Sequence, residues 1–203
     1  MNLSQERQLF GNSKDSNMKT IFSILALIGI GLLGRLAPHP PNTTPVTAIA
    51  FAAGKYVGNV WAVVIPLLVM IIADVILGFY DWKVLMSVYG SIAIIGGISM
   101  LAKKARPSVI ILLVMASSVL FFLITNFAVW AASSWYPRTL EGLIASYVAG
   151  LPFLRNMFIG DVFYAASLLG AFEWVFSRTT KEAFRPLLVS LRGRRDLNSQ
   201  PPA

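Results

Sequence analysis

The sequence contains no cysteine and a single histidine. The first absence excludes a disulfide-stapled fold, and the two together leave a zinc or haem site short of ligands. Charge is scarce too. Asp, Glu, Lys and Arg make up 13% of the chain, against roughly 25% in soluble domains, too little to cover a water-facing surface. No Gly-x-x-x-x-Gly-Lys-Ser/Thr loop occurs, so the chain carries no ATPase of its own. There is no His-Glu-x-x-His and no nucleophile-elbow serine, and the reading is of a protein that is not an enzyme. Nor does any stretch show the ten-residue alternation of a membrane β-barrel.

What the sequence has is apolar length. Of 203 residues 56% are hydrophobic, the mean hydropathy is +0.69, and 13 of the 26 charged residues sit in the tails 1–19 and 178–203. The bilayer is the solvent for such a middle, and helix is the element that satisfies its backbone there. The net charge of +8 then reports cytoplasmic anchoring rather than nucleic-acid binding. Five runs approach the roughly 20 residues a span needs: Thr20–Leu36, Val60–Gly78, Val84–Ala102, Ser108–Ala132 and Phe153–Phe176. Two shorter runs, Val46–Val57 and Leu140–Leu151, suit short or re-entrant segments.

Lysine and arginine decide between them. If Val46–Val57 crosses and Leu140–Leu151 does not, 13 basic residues lie on the side of both termini and four, Arg35, Lys83, Arg138 and Arg155, on the other. That bias makes the termini cytoplasmic. The expectation is therefore an all-α protein of six transmembrane helices in the inner membrane, with a short re-entrant or interfacial helix before the last. It divides into a cytoplasmic segment 1–19, a membrane domain 20–177 and a basic, disordered cytoplasmic tail 178–203. The first run is read as a span and not a signal peptide. Its end, Gly-Arg-Leu-Ala-Pro, lacks a small residue three before any cut, and the proline opposes cleavage.

Polar residues then gather towards the outer side. Asp74, Asn126, Trp130, Asp161 and Tyr164 fall in the outer parts of their spans, with His39, Asn42, Tyr136, Arg138, Arg155 and Asn156 beyond or near their ends. A carboxylate in hydrocarbon is costly unless it faces a cavity or a partner, so Asp74 and Asp161 are expected to point inward, and Tyr164 can donate to Asp161. Ser118, Phe122, Asn126 and Trp130 recur every four residues and share one helix face. These residues are expected to line a substrate site. Read singly they are equally interhelical glue or an aromatic belt, and His39, between two prolines, reads alone as loop rigidity.

Several strings carry a resemblance. Pro38-His-Pro-Pro-Asn-Thr-Thr-Pro45, Pro66 with Asp74-x-x-x-Gly78, Phe121-Phe-x-x-Thr-Asn-Phe-x-Val-Trp130, Tyr136-Pro-x-Thr-x-x-Gly142 and Pro152-Phe-x-x-Asn156-x-x-x-Gly160-Asp161 resemble an uncharacterised bacterial membrane family labelled as transport proteins. That family is similar to the substrate-binding (S) components of energy-coupling factor transporters. The resemblance implies a six-helix bundle with an outward-facing pocket, a vitamin-like small solute, and an ATPase and coupling subunit as partners. It implies no cofactor, and the cobalt-ligating cysteine of related solitary cobalamin transporters has no counterpart here. The expected function is uptake of a small solute, with the proline-rich loop as a lid. Driving energy would come from that ATPase or from an ion gradient acting through Asp74 or Asp161. The competing readings are a non-transporting membrane scaffold and an intramembrane enzyme using that carboxylate pair.

Overall fold

The computed structural model describes residues 17–175 in full and the helical course of the backbone from Leu3 to Asn198. The terminal segments expected at 1–19 and 178–203 fall, but for residues 17–19, outside the fully described part. Six helices and no strand are present among the described residues: α1 (Leu3–Leu36), α2 (Val46–Tyr56), α3 (Trp61–Leu77), α4 (Trp82–Leu101), α5 (Pro107–Ala132) and α6 (Leu140–Asn198). The chain divides into two units, Met1–Leu168 and Leu169–Ala203.

Local chemistry sets the helix ends. Gly78 ends α3 at φ +97°, a conformation that favours glycine. Three residues on, Asp81 caps α4, its carboxylate accepting from the Lys83 and Val84 N–H groups at 2.9 and 3.2 Å. Pro107 opens α5, where its missing N–H costs nothing, and Arg106 before it is extended. Four helices are long and apolar enough to cross a membrane, Asn17–Leu36, Trp82–Leu101, Pro107–Ala132 and Leu140–Val175, while the apolar α3 is shorter at 17 residues. Their outward faces are hydrophobic: Phe22, Val75, Leu112 and Phe163 are all more than 60% exposed. In water such a surface would aggregate; in lipid it is the expected one.

The centre of the bundle is α2. Its eleven residues span about 16 Å, half the hydrocarbon thickness. Ala48 through Ala53 are each no more than 2% exposed, and α1, α3, α4 and α5 pack around them. Small alanines let these neighbours come close, and Ser99 of α4 donates to the Ala50 carbonyl at 2.7 Å. The short run expected at Val46–Val57 is thus a buried helix of eleven residues. The proline-rich loop before it packs against α6: Asn156 donates to the Pro41 carbonyl at 3.3 Å, and Gly160 lies against Thr43. Gly34 admits the end of that loop, since a Cβ there would meet Pro45 Cδ at 2.6 Å.

Two prolines sit inside helices. Pro66 leaves the Ala62 carbonyl of α3 without its intrahelical donor. Gly96 of α4 packs there, where a Cβ would lie 2.8 Å from that oxygen and 2.7 Å from Val63 Cγ2. Only glycine allows α4 this approach. The expected short helix Leu140–Leu151 and the last span are one helix, α6, which runs through Pro152 without a break. One lost hydrogen bond is tolerated in a long helix braced by a neighbour. The brace is α5: Ser146 donates to the Asn126 carbonyl at 3.0 Å and Tyr147 to that of Leu123 at 3.1 Å, and Gly150 sits against Phe122 and Asn126.

Candidate functional site

Where the 37–45, 78–81 and 133–139 loops meet the helices, a cavity of about 450 Å³ opens. That is the size of a small-molecule site. Its apolar wall is Val46, Met70, Val88, Ile92, Phe121, Val129, Phe153 and Met157. Set into this wall are Arg35 of α1, His39, Asn42 and Thr44 of the loop, Thr47 of α2, Tyr80, Thr125 and Asn126 of α5, Trp135, Tyr136, and Ser146 and Asp161 of α6.

Arg35 stands at the end of α1 and reaches across to α3, its Nη2 donating to Asp74 Oδ1 at 2.6 Å. Tyr89 of α4 donates to the other carboxylate oxygen at 2.8 Å. One buried carboxylate therefore ties three helices together behind the cavity wall. The Arg35 Nε–H is buried and makes no hydrogen bond. Beside this group the Tyr80 phenol, although 42% of the residue is exposed, is pushed up to about 12, with partial burial the main cause; the Asp74 charge adds to it and the Arg35 charge opposes it. Tyr80 is therefore an O–H donor at every physiological pH.

Asp161 is the other buried carboxylate, 1% exposed. Ser118 of α5 donates to its Oδ2 at 2.6 Å, and Thr47 on the first turn of α2 is its second side-chain partner. It thus sits where α2, α5 and α6 converge, with hydroxyls and no cation paired to it among the described residues. On the loop side, His39 is held by its own neighbourhood, its ring nitrogens at 2.9 and 3.3 Å from the Pro40 and Arg35 carbonyls. Asn42 adopts φ 62°, and the Thr43 N–H donates back to the Pro40 carbonyl at 3.1 Å. Proline then asparagine at the two central positions is the pattern of a turn with a left-handed third residue.

Of the residues nominated from the sequence, His39, Asn42, Asn126, Tyr136 and Asp161 line the cavity. Asp74 stands behind Arg35 and is matched to it. Tyr164 packs edge-on to Phe163 at 5.4 Å between ring centroids, and serine and threonine occupy the place beside Asp161 that it was expected to take. Trp130 donates its indole N–H to the Pro137 carbonyl at 3.0 Å, and the Arg138 guanidinium lies 5.9 Å over its ring. These two brace the 133–139 loop. Asn156 holds the proline-rich loop, and Arg155 is exposed. Thr47, Tyr80 and Trp135 also line the cavity, and no sequence pattern singles them out as site residues. Among the described residues no three of His, Cys, Asp and Glu gather in one place. The cavity offers hydrogen bonds, aromatic surface, one carboxylate and the Arg35 guanidinium that Asp74 holds.

Four helices of spanning length and an internal, partly polar cavity define a multi-pass helical membrane protein. The chain belongs to DUF6580, a family of unknown function, whose profile matches residues 15–184. No curated protein and no solved structure matches it.

Proposed function

We propose that the protein binds a small solute in this cavity and carries it across the membrane. The observation that supports the reading is the cavity itself, about 450 Å³ of space with polar groups from α1, α2, α5, α6 and three loops inside an apolar bundle. A bundle that only scaffolds other proteins has no use for such a space, since packing it shut would add stability. In this reading the chain crosses the membrane six times, the proline-rich loop and α2 together making the second crossing, as in an S component. Both termini face the cytoplasm of a bacterial inner membrane, and the cavity opens outward. The proline-rich loop, pinned by Asn156 to α6, is the element whose movement would open and close it. Since the chain has no ATP loop of its own, energy comes from an ATPase and coupling subunit or from an ion gradient.

The test is purification in mild detergent, followed by mass spectrometry of what dissociates on denaturation. A small solute should be recovered from the native protein and lost in Val129→Trp, which fills the cavity. It should persist in Leu123→Trp, on an exposed position of the same helix. Recovery of no solute, or equal recovery from both variants, would move the weight to a scaffold.

A further inference from the structure

Two carboxylates are buried near the cavity, and they differ in what answers their charge. Asp74 has Arg35 at 2.6 Å. Asp161, which lines the cavity, has only the hydroxyls of Ser118 and Thr47. Hydroxyls share a carboxylate's charge by hydrogen bonding without neutralising it, and an unmatched charge in an apolar surround is costly. The cavity that it lines is rich in aromatic rings, Tyr80, Phe121, Trp135, Tyr136 and Phe153, the first, third and last of them partly open to the outside. Aromatic rings attract cations through the negative potential of their faces, most strongly where water is excluded. A carboxylate without a counter-ion, in a cavity walled by aromatics and aliphatics, has the chemistry of a receptor for an organic cation.

We propose that the solute is an organic amine, a cationic nitrogen on an apolar body, with the nitrogen at Asp161 and the body against the aromatic wall. This deepens the solute-binding reading and rests on it. An inorganic cation is the poorer fit, because 450 Å³ far exceeds an ion and among the described residues no cluster of acidic or histidine ligands gathers there. An anionic solute would face Asp161 directly, and the Arg35 guanidinium on the same lining has its charge matched by Asp74 even though its Nε–H is unpaired.

The experiment is thermal unfolding of the full chain in detergent with matched probes: 2-phenylethylammonium, 3-phenylpropionate and 3-phenylpropanol, and the same three head groups on indole and cyclohexane skeletons. Ligands raise the unfolding temperature in proportion to the logarithm of their concentration over Kd. We expect amines to act at concentrations at least tenfold below their carboxylate and alcohol counterparts. Asp161→Asn, which keeps an oxygen for Ser118, should erase that preference. The preference in the unaltered protein tests the proposal even if the variant fails to fold. Carboxylates or alcohols equal to or better than amines would overturn the cation assignment while leaving a solute site in place. So would stabilisation by sodium chloride that choline chloride does not reproduce. An amine among the co-purifying molecules supports the proposal, and an anionic or neutral solute there overturns it alone. No response to any probe, with no co-purifying solute, overturns both readings.

Discussion

Arg35 and Asp74 lie 39 residues apart in the chain and 2.6 Å apart in space, the guanidinium at the end of α1 closing on a carboxylate at the end of α3 that is 2% exposed. Tyr89 completes the group from α4. Breaking a buried pair leaves one charge uncompensated, which typically costs about 3–5 kcal/mol. Arg35→Ala and Asp74→Ala should each destabilise by about that much, whereas Tyr89→Phe should cost about 1 kcal/mol. The double variant should lose clearly less than the sum of the singles, because the second change removes the charge that the first stranded. A double-mutant cycle on thermal unfolding in detergent measures this. Additive losses would show that the pair contributes nothing as a pair.

The loop after α1 turns on Asn42, whose φ of 62° lies in the left-handed region. Asparagine tolerates it and glycine prefers it, but a β-branched side chain is strained there. Asn42→Gly should leave stability within about 0.5 kcal/mol, while Asn42→Val should cost about 1–2 kcal/mol. Neighbouring Pro40 and Pro41 restrict the unfolded loop. Pro40→Gly with Pro41→Gly should therefore weaken retention of the co-purifying solute while membrane insertion stays normal. An equal loss of folded protein would assign these prolines to structure alone.

The sequence made the lining of this site legible only in part, and the reason is geometric. Helical periodicity and distance from a loop give the depth of a residue, and depth was enough to bring Asp161 and Asn126 to one region. It does not give the direction in which a residue at a helix end points, so Arg35 and Asp74 could be placed at one level without being paired. An apolar run such as Val46–Val57 reads the same as a short membrane crossing or as a buried central helix, and the neighbours that bury it are distant in sequence. Pro152 is a strong local signal to stop. Hydrogen bonds from Ser146 and Tyr147 to α5 oppose it, and these are tertiary. Tyr80 and Trp135 resemble interfacial aromatics until the loops that carry them fold over the cavity.

Tyr80 provides a prediction in pH. Its phenol is raised to about 12, first by burial and then by the Asp74 charge, so the folded protein holds the proton longer than the unfolded chain, whose phenols titrate near 10. Folding therefore binds protons between about pH 10 and 12, and this contribution to stability is complete below pH 10 and is lost as pH rises through that window. Tyr80→Phe should be less sensitive to alkali than the native chain. The native protein should also show one phenolate absorbance step near pH 12 that the variant lacks. A step near pH 10 in the native protein that Tyr80→Phe lacks would contradict the burial argument.

Gly96 tests the contact of α3 with α4. A Cβ at this position would press on the Ala62 carbonyl at 2.8 Å and on Val63, and backbone cannot give way as a flexible side chain can. Gly96→Ala should destabilise by about 1–3 kcal/mol, the usual cost of overpacking. Gly97 beside it has open space where a Cβ would go, so Gly97→Ala should be neutral or slightly stabilising, since alanine favours helix. The two neighbouring substitutions, compared by thermal unfolding, separate the contact from helix propensity. Similar losses at both positions would argue against the close approach.

Orientation is the last prediction. Lys55 donates to the Ala105 carbonyl at 3.4 Å, which brings it to the α4–α5 loop with Lys103, Lys104 and Arg106. Four basic residues thus share one end of the bundle, while Tyr136 lines the cavity among the loops that join α1 to α2, α3 to α4 and α5 to α6. Short loops rich in lysine and arginine stay cytoplasmic, so the cavity should open on the opposite face. Because the chain has no cysteine, Lys104→Cys and Tyr136→Cys each introduce a single thiol. In intact cells an impermeant maleimide should label the cysteine at 136 and spare the one at 104 until the membrane is permeabilised. The reverse pattern would turn the cavity towards the cytoplasm, and an uptake role would then become export or intracellular sensing. Labelling of both sites from outside would mean that the two loop clusters do not lie on opposite faces of the membrane, and six crossings would be untenable.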